Sequence, residues 1–266
     1  MDLQLHGKKA LITGSTRGIG MAVARALLQE GAEVAINGTN EGRLETALAE
    51  LSRPDAVVRG KCADIASPED VRALFRFMEE EMGGLDILIN NAGIYRTAMP
   101  FLDIQESDYE ETMSVNFKSL LFCGQAGAAL MRRQGRGGVI LNASSYAALI
   151  PSAGSSLYAA SKAAISNLTR AMAGELAPYG IRVNAYIPGV IATDMNSGAI
   201  ASNREGLLSQ ISLGRFGEPE EVAAPLVFLA SSQASYITGC ILEVTGGKLA
   251  VQQPAAAWQM ADGSTG

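Results

Sequence analysis

The sequence predicts a doubly wound α/β fold: a parallel sheet of about seven strands with helices on both faces. Short β-rich runs alternate with helix-patterned stretches along the whole chain, which implies parallel strands joined by right-handed crossovers. The runs are mostly too apolar to leave one face wet, as befits strands covered by helices on both sides. The series opens on a strand, a Gly-rich turn and a helix, a βα unit of the kind from which such sheets are wound.

The strand runs, in order, are "KALIT" (9–13), "EVAIN" (33–37), "AVVRGKC" (56–62), "LDILIN" (85–90), "GVILNAS" (138–144), "IRVNAYI" (181–187) and "CILEVTG" (240–246). Of the helical stretches, "SPEDVRALFRFMEEEMG" (67–83) has the clearest period. Ser67 is placed to cap it, Pro68 to open it, and Val71, Leu74, Phe75 and Met78 share one face. Two segments fit the alternation poorly. Residues 190–216, rich in Gly, Ser and Asn, form either a lid over a site or a long surface connection, and their place after a strand's carboxyl end favours the lid; residues 248–266 form an extension whose end, "ADGSTG", is expected to be disordered. Residues 1–247 are expected to form one domain with one core.

Bulk composition removes several function classes. The 266 residues carry 21 basic and 27 acidic side chains, a net charge of −6, and the one cationic window, "MRRQGRGG" (131–138), reads as a solvated helix end. No nucleic acid partner is expected. No apolar run approaches the roughly 18 residues of a membrane span, and "MDLQLHGKKALITG" has no cleavable apolar region, so a soluble, cytoplasmic protein is expected. Cys62, Cys123 and Cys240 are widely spaced and His6 is the single histidine, which argues against a metal cluster, a disulfide framework and a Ser-His-Asp hydrolase.

In doubly wound sheets ligands bind beyond the carboxyl ends of the strands, so the strand ends carry the information. After the first strand comes "TGSTRGIG" (13–20), whose glycines permit a tight turn and whose helix would aim free N–H groups at a phosphate. "NNAG" (90–93) follows the fourth strand and "NASSYAALIPSAGSSLYAASK" the fifth. Within the latter, Tyr158 and Lys162 lie four apart, on one face of a helix, where an ammonium would favour phenolate. Alone, that spacing also fits a solvated lysine beside a half-buried tyrosine, and the surroundings must decide.

Those surroundings resemble the short-chain dehydrogenase/reductase family, in the branch with chains of about this length, over essentially the whole chain to residue 247. The resemblance rests on the Gly turn at 14–20, "ADI" at 63–65, "NNAG" at 90–93, "VN" at 115–116, the serine ahead of "YAASK", and "PG" at 188–189 followed by Thr193. It implies a Rossmann-type domain and a nicotinamide cofactor. Tyr158 would be the general acid/base, Lys162 would lower its pKa and hold the nicotinamide ribose, and Ser145, preferred over Ser144 by alternation, would hold the substrate oxygen. Asn116 would anchor a water leading from Lys162 to solvent, a role compatible with a helix-kink or core hydrogen bond. Gly14, Ser15, Thr16, Arg17, Gly18, Ile19 and Gly20 would cradle the pyrophosphate. Asp64 and Ile65 would touch the adenine, Asn91, Ala92 and Gly93 would pass beneath its ribose, and Pro188, Gly189, Ile191 and Thr193 would frame the nicotinamide.

Asn37 stands where an acid would bind a ribose 2′-hydroxyl, and Arg17 is placed to meet a 2′-phosphate; both favour NADP(H), while Thr39, where many NADP-preferring relatives carry arginine, leaves NAD(H) open. The implied reaction moves a hydride between nicotinamide and a small carbonyl or alcohol such as a sugar or polyol, which "IP" at 150–151 favours. A 3-oxoacyl-(acyl-carrier-protein) reductase is the alternative, weakened because "ELAPYGI" near the active-site helix has Tyr179 and no cation. A non-catalytic NADP-binding sensor or scaffold is the reading from another class, and the intact set of Asn116, Ser145, Tyr158 and Lys162 speaks against it. A homotetramer is implied, formed through the alanine-rich helix that carries Tyr158. Thr245 departs from the aspartate common in the family. Trp258 in the tail either closes a substrate pocket or packs on a partner subunit.

Overall fold

The computed structural model describes residues 2–96 and 98–261. Among these, strands β1 (Lys9–Ile12), β2 (Glu33–Gly38), β3 (Val58–Cys62), β4 (Ile87–Asn90), β5 (Gly138–Ala143), β6 (Ile181–Pro188) and β7 (Ile241–Val244) form one sheet. Its order is β3-β2-β1-β4-β5-β6-β7 and every pairing is parallel. Each strand lies within its apolar run or one residue past it.

Between the strands run helices α1 (Gly18–Gln29), α2 (Glu41–Leu51), α3 (Pro68–Glu80), α4 (Glu106–Met113), α5 (Ser119–Gln134), α6 (Ser156–Leu176), α7 (Asp194–Ser202), α8 (Arg204–Leu208), α9 (Pro219–Ala230) and α10 (Ala255–Ala261). Successive residues of a strand point to opposite faces, so the apolar runs feed two cores at once. Ala10, Ile12, Ile87 and Ile89 pack with α1, α2 and α9 on one face, while Leu11 and Leu88 pack with α3 and α5 on the other. The third helix follows its sequence pattern closely. The Ser67 hydroxyl accepts from the Asp70 N–H, Pro68 opens the helix, and Val71, Leu74, Phe75 and Met78 are buried.

The winding reverses between β1 and β4. From β1 the chain moves outward to β2 and β3, then returns to place β4 on the other side of β1 and continues through β7. The connections leave in opposite directions there, opening a crevice at the carboxyl ends of the two strands. The floor of that crevice is tight: a Cβ built on Gly14, whose φ is +61°, would lie 2.7 Å from Ala92 Cα.

Residues 190–216 hold α7 and α8, and an isolated parallel bridge between Ile191 and Gly217 draws the two ends of the segment together. The extension folds back on this segment. Trp258 Nε1 donates to the Ser212 carbonyl at 2.9 Å, and its indole lies against Gly214. The tryptophan therefore packs within its own chain. Ala261, read from the sequence as part of a disordered end, closes α10; residues 262–266 lie outside the described residues.

Leu74 of α3 has no exposed surface. Leu74→Ala is expected to cost about 2–5 kcal/mol of stability. A urea unfolding curve with an unchanged midpoint would show that α3 does not hold the sheet as described.

Candidate active site

The turn after β1 is held by side chains that the sequence assigned to a ligand. Ser15 is fully buried, its hydroxyl donating to the Ile12 carbonyl and accepting from the Asn37 N–H. The Asn91 amide donates to the Thr13 and Gly14 carbonyls and accepts from the Tyr186 hydroxyl. These groups are committed to the frame and leave their backbones at the crevice. What remains open is the start of α1. No side chain caps it and its first turn has no acid, whereas Asn40 caps α2 and Ser67, with Glu69 and Asp70, serves α3. Its N–H groups and the positive end of its dipole are free for an anion.

Asn37 does not stand where an acid would meet a ribose. It is buried, and its amide donates to the Lys61 and Ala63 carbonyls of the neighbouring strand end. The residue of β2 that faces the Gly turn is Gly38, where a Cβ would come 2.7 Å from Thr16 Cγ2. The absence of a carboxylate therefore holds one residue later than expected. Thr39 is exposed just beyond. Asp64 is exposed, its carboxylate accepting from the Ala66 N–H, while the Ile65 side chain is buried in the core beside Leu74.

At the end of β5 the two serines part. The Ser144 hydroxyl turns to the Lys162 carbonyl and the Ser166 hydroxyl, whereas the Ser145 hydroxyl accepts from the Ala147 N–H and lies near enough to Tyr158 to pull its pKa down. Lys162 is buried and donates to the Ala143 carbonyl at 2.9 Å, its ammonium 5.7 Å from the centre of the Tyr158 ring. Asn116 occupies a one-turn π-helix, Ser114–Lys118, between α4 and α5. Such an insertion turns a side chain out of the regular helical register, and here the Asn116 amide pairs with both backbone groups of Ile94 and donates to Ser161 Oγ. At Gly93 a Cβ would crowd Asn116 Oδ1 at 3.1 Å and Lys162 Nζ at 3.3 Å, so any side chain there would press on both.

The electrostatics correct one expectation. Tyr158 keeps part of its surface open, yet burial raises its pKa to about 12, against the opposing pull of the Ser145 hydroxyl and with smaller pushes from Tyr146 and Tyr95. Burial lowers Lys162 to about 8. Desolvation thus disfavours both the phenolate and the ammonium, and in the protein alone it holds Tyr158 above its ordinary value rather than below it.

The chain matches, over residues 14–248, the family profile described as Enoyl-(Acyl carrier protein) reductase. It is 40% identical to a 3alpha-hydroxysteroid dehydrogenase of Mediterraneibacter gnavus, covering 92% of this chain and 98% of the relative. An L-rhamnose 1-dehydrogenase (NAD(P)(+)) of Azotobacter vinelandii is 41% identical, with 91% and 97% covered. A short-chain type dehydrogenase/reductase from Mycobacterium marinum, of solved structure, superposes with a TM-score of 0.89 at 36% identity, covering 93% and 97% of the two chains. The chain belongs to the short-chain dehydrogenase/reductase family. It is an NAD(P)-dependent oxidoreductase acting on CH–OH or carbonyl groups.

The residues present fit such a coenzyme. The Gly14–Ala92 approach keeps the crevice floor bare backbone, and the uncapped start of α1 awaits an anion. On the opposite wall, Gly189 packs on Thr245 and donates to the Val244 carbonyl, while the Ile191 carbonyl accepts from the Asn196 amide. This fixes the chain from Pro188 to Thr193 over the site. Three neighbours of the dehydrogenase site were not read from the sequence. Tyr95 packs edge-on against Tyr158 with centroids 5.0 Å apart, and Lys248 sits 4.9 Å from the centre of the Tyr146 ring while donating to Gln210. Tyr146 alone had a signal, its place directly after Ser145; the others arrive from distant segments.

Subtracting the ultraviolet titration of Tyr158→Phe from that of the wild type isolates this phenol. Because its folded-state pKa is raised, we expect no phenolate from it below about pH 10 in the coenzyme-free protein, two units under the midpoint. A phenolate signal near neutral pH would contradict the upward shift that burial imposes on Tyr158.

Proposed function

We propose that this enzyme reduces a small ketone or oxidises the matching secondary alcohol, with NADP(H) favoured and NAD(H) possible. A bound nicotinamide supplies or accepts the hydride. In the reductive direction the Tyr158 hydroxyl gives its proton to the substrate oxygen, and the Ser145 hydroxyl donates a hydrogen bond to that oxygen as negative charge develops. A phenol that stays protonated through neutral pH is a competent donor for this step. Lys162 holds the coenzyme ribose and, with Asn116, starts the path that returns a proton to Tyr158. The observation that carries the reading is the divergence at the end of β5: the Ser144 hydroxyl is committed to Lys162 and Ser166, while that of Ser145 is left to act on Tyr158. A sensor that had lost turnover has no chemical need for that set.

Coenzyme choice rests on Gly38 and Arg17. No carboxylate faces the Gly turn from β2 to repel a 2′-phosphate, and Arg17 lies within the turn. Residues 190–216 act as the substrate lid on a domain ending near 247. Sugars and polyols remain the first substrates to test. A second reading gains from one contact: Arg132 of α5 lies 4.8 Å from the Tyr179 ring, so the surface past α6 does carry a cation. An acidic acyl-carrier protein would be drawn to such a charge, and a 3-oxoacyl-(acyl-carrier-protein) reductase of Vibrio cholerae is 37% identical over 92% of this chain. We further propose a homotetramer, supported by the exposed small residues Ala160 and Ala163 on α6 and by the exposed Phe122 of α5. The three free cysteines fit a cytoplasmic location.

Titration of NADPH and NADH by nicotinamide fluorescence, followed by turnover of ketones, sugars and acyl thioesters, tests the reading directly. Tyr158→Phe is expected to lower turnover at least about 10²-fold while leaving coenzyme binding within about twofold. Retained turnover would overturn the proton role. Arg17→Ala is expected to weaken NADPH about tenfold or more, with little change for NADH, since a charge-assisted contact is worth about 1.5–3 kcal/mol. Equal losses would remove the phosphate contact.

A further inference from the structure

Arg17 is already engaged. Its Nη1 lies 2.8 Å from Asp194 Oδ2, an ion pair spanning 177 positions of sequence and joining the Gly turn to the first residue of α7. The two segments also meet just beside it, since a Cβ built on Gly18 would lie 3.4 Å from Thr193 Cγ2. The pair therefore clasps the lid to the coenzyme cradle. The guanidinium stem springs from the residue after Thr16, whose methyl lies against Gly38 at the end of β2. One flexible side chain thus stands between two anionic positions: the Asp194 carboxylate on the lid, and the place beyond β2 where an adenosine 2′-phosphate would lie. Arg17 is the only residue of the turn from Gly14 to Gly20 that carries a charge.

We propose that Asp194 is a specificity-determining residue for the coenzyme: its carboxylate competes with the 2′-phosphate for Arg17. NADPH must draw the guanidinium off the lid, whereas NADH leaves the clasp closed. The proposal rests on the reading that Arg17 meets a 2′-phosphate, and adds that the enzyme's preference is held down by a residue that need not touch the coenzyme. It also accounts for a chain that lacks the carboxylate expected of a strict NAD enzyme yet carries no second arginine at Thr39: the one available cation is shared. Both partners are largely exposed, with side chains 60% and 72% accessible, so the competition is weak and water screens it.

The test is a titration of NADPH and NADH into the wild type, Asp194→Asn, Arg17→Ala and the double variant. Asp194→Ser serves as a second removal of the charge at the same helix start. Exposed pairs of this kind are worth about 0.2–1 kcal/mol, so Asp194→Asn and Asp194→Ser are expected to tighten NADPH by about 1.4- to 5-fold and leave NADH unchanged. In the Arg17→Ala background the same change is expected to do nothing, because no guanidinium remains to be released. If Arg17→Ala selectively weakens NADPH but neither Asp194 variant shifts the NADPH-to-NADH ratio, the competition is overturned and the phosphate contact stands. If Arg17→Ala weakens both coenzymes alike, the phosphate contact falls and the competition falls with it. If the Asp194 variants shift the ratio equally with and without Arg17, the carboxylate acts directly on the coenzyme and the clasp is overturned.

Discussion

The hydrogen bonds that stitch the end of β1 to the end of β4 set the position of everything else. The Thr13 hydroxyl accepts from the N–H groups of Asn91 and Ala92, and the Asn91 amide returns to the Thr13 and Gly14 carbonyls. Two strand ends that diverge at the reversal of the winding are thereby held in contact. Without that stitch the crevice would have no floor, since Gly14 and Ala92 would not meet, and α1 would have no fixed direction. The polar side chains that look most like ligand contacts are consumed in building this frame. The ligand is left with backbone, which does not change rotamer and so stays preorganised.

A second constraint is that the reactive groups are brought together by burying them. Lys162 lies within the protein with one carbonyl partner, and its lowered pKa is the cost of that position. The same crowding raises Tyr158. Interacting groups titrate as a set rather than one by one, and any further charge placed in the crevice acts on the whole set.

How much of this was legible in the sequence depended on how local the cause was. The central strands were readable because parallel strands covered on both faces are continuous apolar runs, the edge strands β3 and β7 from their place in the alternation, and α3 because Ser67, Pro68 and its stripe are contiguous. Alternation at a strand end separated Ser145 from Ser144. The same reasoning missed by one residue at β2, because the strand runs on to Gly38 and the Asn37 amide finds carbonyls on β3 that no window of sequence places beside it. The sign of the Tyr158 shift was read from a charge four residues away, whereas burial, a property of the whole fold, outweighs it. Arg17 with Asp194, Arg132 with Tyr179 and Lys248 with Tyr146 are meetings of distant segments, and residue type alone did not reveal them. The tail was read as an appendage with a loose end, yet Ala261 is helical and Trp258 is bonded within its own chain.

That last attachment bears on how the protein is made. The segment that returns through Ser212 and Gly214 rests against an indole that follows it by more than forty residues. A contact between distant segments forms only after the later one is made, so Ser212 gains its indole partner at the end of synthesis.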